Sequence, residues 1–84
     1  MPETLALFDE LGSPRDFLVQ ERFYVEGQEY IAISKRDELA VDPIFLRVEI
    51  DNSGNEIYLQ PLNEEIKTVL SVYNDNNAKL NLLN

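Results

Sequence analysis

The chain is 84 residues long, 44% hydrophobic and 10% aromatic, enough apolar matter for one small globular domain rather than a disordered segment. It has no histidine and no cysteine, which removes imidazole acid–base catalysis, imidazole or thiolate metal ligation, disulfides and cysteine nucleophiles. Its 16 acidic residues against 7 basic ones give a net charge of −9, which argues against direct binding to nucleic acid or to an anionic membrane.

The first segment, Thr4 to Leu11, alternates loosely and runs into Gly12-Ser13-Pro14-Arg15, a turn signal. From Asp16 to Val25 two readings compete. Ser13, Pro14 and Asp16 fit a helix start, with Ser13 as N-cap and Pro14 at the first helical position. Phe17, Val19, Phe23, Tyr24 and Val25 are aromatic or β-branched and lack helical periodicity, so the segment is read as strand. Glu26-Gly27 then makes a tight hairpin turn into a strand from Gln28 to Ile33, and Lys35 to Pro43 is a charged loop.

Ile44 to Ile50 alternates most cleanly, with Ile44, Leu46, Val48 and Ile50 on one face and Phe45, Arg47 and Glu49 on the other. Asp51-Asn52-Ser53-Gly54 reads as the turn of a hairpin. Pairing Ile50 with Asn55 sets Val48 opposite Ile57, Leu46 opposite Leu59 and Arg47 opposite Tyr58. That register matches the apolar faces.

After Pro61 the period becomes helical. Asn63 is the expected N-cap, and Glu64 and Glu65 stand at the positive end of the helix dipole. Ile66, Val69, Leu70 and Tyr73 form one apolar stripe, read as core. The helix is expected to end at Asn74-Asp75-Asn76-Asn77, closing a single domain over residues 1–76. For the tail, residues 77–84, three states stay open: packing back, extending the helix or remaining mobile. The elements add up to an α+β fold, a small antiparallel meander of about five strands with one C-terminal helix packed on it.

The succession of Val25-Glu26-Gly27-Gln28-Glu29-Tyr30, a charged loop, Phe45-Leu46-Arg47-Val48-Glu49, the Asp51-to-Gly54 turn, Leu59-Gln60-Pro61-Leu62 and a Glu-rich helix start resembles the YrzB-like family. That family comprises short bacterial proteins with a domain of unknown function. The likeness covers Thr4 to Asp75. It implies a small, acidic, cytosolic protein, favours strand over helix for Phe17 to Val25, and brings no catalytic residue with it. The Lys35-Arg36 pair and the Leu-Asn tail depart from the family pattern.

Carboxylates are the main chemistry the chain carries. Asp9/Glu10 and Glu64/Glu65 are adjacent pairs, and neighbours diverge on either a strand or a helix, so neither pair is built as an acid–base dyad. The oxygen-rich run Asp51 to Glu56 lacks the ligand spacing of a calcium loop and reads as an ordinary turn. Ser13, Ser34, Ser53 and Ser71 have no histidine to activate them. No catalytic residue, cofactor or metal site is therefore expected.

The candidate protein-binding residues are Phe45, Arg47 and Tyr58, together with Leu80, Leu82 and Leu83 of the tail. If the helix covers the Ile/Leu/Val row, the opposite face is open and Arg47 rests against Tyr58, a composition typical of interaction hot spots. Burial by another layer would account for the same residues. The expected function is a non-enzymatic protein-interaction or regulatory module. The alternatives are an acidic decoy for a basic, nucleic-acid-binding protein and, further off, a carboxylate-based hydrolase or metal-dependent enzyme. The N-terminus has no basic-then-apolar leader pattern and no apolar run approaches the ~20 residues of a membrane span, so a cytoplasmic location is expected. A free sheet edge makes the expected state a monomer or weak homodimer.

Overall fold

The computed structural model describes residues 3–8, 11–36 and 42–83, with side chains described as far as residue 77. Strands β1 (Thr4–Phe8), β2 (Pro14–Val25), β3 (Gln28–Lys35), β4 (Ile44–Ile50) and β5 (Glu56–Leu59) precede a single helix, α1 (Asn63–Leu83). The strands lie in sheet order β1-β2-β3-β4-β5, each antiparallel to the next. This is the α+β meander that the alternation indicates, and Asp16 to Val25 is strand.

Two turns set the registers. Between β2 and β3, Glu26 and Gly27 both take positive φ, 51° and 83°, the backbone that matches the twist of a two-residue hairpin. Between β4 and β5, Asp51 Oδ1 accepts the N–H groups of Ser53 and Asn55, both at 2.9 Å. Asp51 N–H donates to the Asn55 carbonyl, and Gly54 sits at φ 87°. The loop is thus Asn52-Ser53-Gly54, with Asp51 already on a rung of the ladder.

That arrangement moves the hairpin one residue from the expected register. Ile50 pairs with Glu56, Val48 with Tyr58 and Arg47 with Leu59. The apolar row of β4 therefore faces Tyr58, and Ile57 and Leu59 project to the other side. The side-chain bonds of Asp51 to the turn outweigh the apolar matching on which the expected register rested.

β2 carries an irregularity between Val19 and Glu21, so Gln20 is an extra residue against β3. Phe17 and Val19 before the bulge share a face with Arg22 after it, while Phe23 and Val25 fall on the opposite face. Two cores result. On the face away from the helix, Ile31, Ile33 and Val48 are buried, with Leu5, Leu7, Phe17, Val19, Leu46 and Tyr58 packed around them. No described helix covers this face. Its burial comes from curvature: edge strands β1 and β5 both contribute to one cluster. Arg22 on β2 reaches Glu56 on β5, a separation of about 14 Å in a flat sheet.

The helix lies on the other face. Val69, 1% exposed, packs with Phe23, Val25, Tyr30 and Ala32, and Phe45, Val72 and Tyr73 complete this cluster. Phe45 meets the Tyr73 ring edge-on at 5.1 Å, and Phe23 lies 6.1 Å from Tyr30. The helix therefore covers the Phe45/Arg47 face and not the Ile/Leu/Val row. Its buried stripe is also rotated from the expected one: Val69 and Tyr73 point inward, but Ile66 and Leu70 are exposed flanks.

Leu62, not Asn63, occupies the N-cap position, because its carbonyl accepts from both Glu65 and Ile66 N–H. Glu65 closes the cap by accepting from Leu62 N–H at 2.8 Å. The helix continues through Asn74–Asn77 to Leu83. Asn77 donates its side-chain N–H to the Tyr73 carbonyl at 2.8 Å, and mid-helix asparagine costs only about 0.7 kcal/mol relative to alanine. Among the described residues no helix is long and apolar enough to cross a membrane.

Candidate protein-docking surface

Phe45, Arg47 and Tyr58 do not form one surface. Phe45 is half-buried in the aromatic cluster beneath α1. Arg47 stands beside it on the helix side, donating to Glu65 Oε1 at 3.4 Å and to Glu49 Oε2 at 3.2 Å. Its Nε is buried without an acceptor among the described residues. Tyr58 is on the concave face, its hydroxyl donating to Glu56 Oε1 at 2.6 Å. Arg47 and Tyr58 are thus separated by the sheet, and the expected stacking between them is not made. Leu80, Leu82 and Leu83 fall in the last turns of α1, and their side chains lie outside the described residues.

Among the described residues, Arg22 and Arg47 each gather carboxylates. Arg22 receives Glu3, Glu29 and Glu56: Nε donates to Glu3 Oε1 at 2.9 Å, Nη1 to Glu29 Oε2 at 3.2 Å, and Nη2 to Glu56 Oε1 at 3.3 Å. Hydrogen bonding from Arg22 lowers the Glu3 pKa, and bonds from Tyr58 and then Arg22 lower that of Glu56. Burial, reinforced by Glu56, raises the Tyr58 pKa. On the helix side, Tyr30 donates to Glu65, and burial followed by that bond pushes the Tyr30 pKa up to about 12. Glu65 is lowered in turn by Tyr30, the Leu62 amide and Arg47.

These carboxylates are occupied in holding the fold. Glu64 is exposed beside a shallow hollow that Glu65 also lines, but Glu65 is taken up by the Tyr30 hydroxyl and the Leu62 amide. Asp9/Glu10 lies outside the described residues. Among those described, no group of three or more acidic side chains is placed to hold a metal ion.

The fold also leaves an apolar groove open. Ile44, Phe45, Leu46, Gln60, Pro61 and Ile66 line a groove of about 410 Å³ between β4 and the start of α1. Leu62, Ile66 and Leu70 run along the adjoining flank of the helix, and Ile57 and Leu59 stand 39% and 36% exposed on β5. Sequence reasoning missed this surface for two reasons. It counted Ile66 and Leu70 as core, and its hairpin register was one residue off. The signal that could have found it is Asp51, whose position before Asn-Ser-Gly favours the shorter loop.

Comparison with known proteins gives relatives of one kind. A UPF0473 protein of Clostridium botulinum strain Loch Maree is 32% identical over 63 residues, covering 75% of this chain and 73% of the relative. A UPF0473 protein of the Hall strain is 30% identical over 63 residues, covering 74% of its own length. A UPF0473 protein of Pelotomaculum thermopropionicum is 30% identical over 63 residues, covering 72% of its length. No family profile matches the chain, and no solved structure matches it.

Proposed function

Because this chain belongs to the UPF0473 family of bacterial proteins, whose function is unassigned, we propose from its surface that it is a non-enzymatic module that binds protein through the groove beside α1. The observation that carries this is the apolar strip formed by Ile44, Leu59, Leu62, Ile66 and Leu70 around that groove. Neighbouring exposed apolar side chains beside a groove are the composition of a protein-interaction surface. The order of its hairpin and turn motifs supports placing it in the YrzB-like group, and a cytoplasmic setting is part of the same reading.

The experiment is a pull-down from bacterial extract at low and high salt, with wild type and Ile66→Asp/Leu70→Asp as baits. Both substituted residues are exposed, so the fold is expected to survive. A salt-resistant partner lost in the variant supports apolar docking. Salt-sensitive basic partners retained by the variant would instead favour binding through the acidic surface.

A further inference from the structure

The edge strand β5 gives the docking reading a specific partner, and the inference rests on that reading. No strand lies beyond β5 among the described residues. Asp51 N–H bonds the Asn55 carbonyl, and bonded rungs alternate along an antiparallel ladder. The main-chain groups of Ile57 and Leu59 therefore turn toward β4, and those of Glu56, Tyr58 and Gln60 turn outward. All three outward residues have an N–H, and Pro61 falls on the inward phase, so the edge can accept another strand.

We propose that β5 pairs antiparallel with β5 of a second copy, about a two-fold axis through Tyr58. This register sets Ile57 opposite the partner's Leu59 and Leu59 opposite the partner's Ile57, apolar against apolar on the helix side. Glu56 meets the partner's Gln60. A slip of one residue would set Ile57 against the partner's Tyr58, side chains of opposite faces.

Charge selects a second copy over other occupants. Two copies of net charge −9 repel unless they meet where charge is absent or neutralised. Between Asn55 and Asn63 the one charged residue is Glu56, and Arg22 already binds it. The other edge strand offers no such neutral run: Glu3 stands at its start, and Asp9 and Glu10 follow it in the sequence. A basic partner would be drawn to the acidic surface and gains nothing from a neutral strip. Pairing of so short a strand buries less than the roughly 1,200 Å² of a stable interface, so the dimer is weak even with Leu62 and Ile66 adding to it.

The test is sedimentation equilibrium of the full chain at about 20 mM and about 500 mM salt, conditions that bracket strong and weak screening. A dimer is expected whose dissociation constant falls roughly tenfold at the higher salt, as screening removes repulsion between the copies. Leu59→Lys should be monomeric with unchanged circular dichroism and thermal midpoint. Ile57→Lys/Leu59→Lys and Ile57→Glu/Leu59→Glu should each be monomeric alone and associate when mixed. A wild-type monomer at both salts, a dimer weakened by salt, a dimer indifferent to Leu59→Lys, or no association on mixing overturns the proposal. A monomer that still retains an extract partner lost in Ile66→Asp/Leu70→Asp also overturns self-pairing, and leaves the docking reading standing.

Discussion

Arg22 and Glu3 tie the beginning of β1 to the middle of β2 across the concave face, with Nε and Nη2 of the guanidinium each bonded to one carboxylate oxygen. The same guanidinium binds Glu56 at the start of β5, so one cation joins both edge strands. The Val19 N–H donates to the Glu3 carbonyl at 2.9 Å and fixes the same end of β1 through the main chain.

Arg22→Met should therefore destabilise more than a single surface ion pair would. Exposed pairs contribute at most about 1 kcal/mol each, and here three carboxylates lose their common partner, for an expected cost of about 2 kcal/mol. For a domain of this size that lowers the thermal midpoint by roughly 8–16 °C. An unchanged midpoint in a circular dichroism melt would show that the hub contributes nothing.

The pH response has two limbs with different origins. Glu3 and Glu56 have lowered pKa values in the folded state, so their stabilisation is present above the ordinary 4.5 and lost as pH falls through the folded values. Tyr30 is raised from 10.0 to about 12, so burial of its neutral form stabilises below pH 10 and that contribution is lost as pH rises toward 12. Urea unfolding across pH should show both limbs in the wild type. Arg22→Met should flatten the Glu3 and Glu56 share of the acid limb, and Tyr30→Phe should flatten the alkaline limb together with the acid share that Glu65 owes to the Tyr30 hydroxyl.

The rotated helix stripe is checked by two truncations. Val69→Ala removes buried methyl groups from the aromatic core and should cost about 2–3 kcal/mol. Leu70→Ala, one residue further on an exposed flank, should cost less than about 1 kcal/mol. Equal losses in chemical denaturation would place Leu70 in the core after all.

Asp51→Ala removes both side-chain bonds that shape the β4–β5 loop, at an expected cost of about 1–2 kcal/mol. Cross-strand nuclear Overhauser contacts between Val48 and Tyr58 report the register directly. Their presence in the wild type supports the described pairing, and contacts between Val48 and Ile57 would refute it.

The meander and its helix were legible because alternation and the change of period after Pro61 survive without any tertiary context. The ambiguity of Asp16–Val25 also has a physical origin. Ser13, Pro14 and Asp16 carry helix-start chemistry at the entrance of a strand, while Phe17, Val19, Phe23 and Val25 keep a strict period of two. That unbroken period hides the bulge at Gln20, which sends Phe17 and Val19 to one face and Phe23 and Val25 to the other. The docking surface was hidden for a different reason. Which side of the sheet the helix covers depends on where β5 delivers the chain, and that follows from one loop residue rather than from any run of hydrophobics. Arg22 looked like an ordinary surface charge, since its three partners stand 7, 19 and 34 positions away in sequence.

The extra residue in β2 makes curvature a matter of chain length. Deleting Gln20 would leave every other side chain of β2 on its present face, because Val19 and Glu21 already pair with consecutive residues of β3, Ile33 and Ala32. The strand would simply straighten, and β1 would swing away from β5. The sheet would keep its chemical composition on both faces while its second core opened to water.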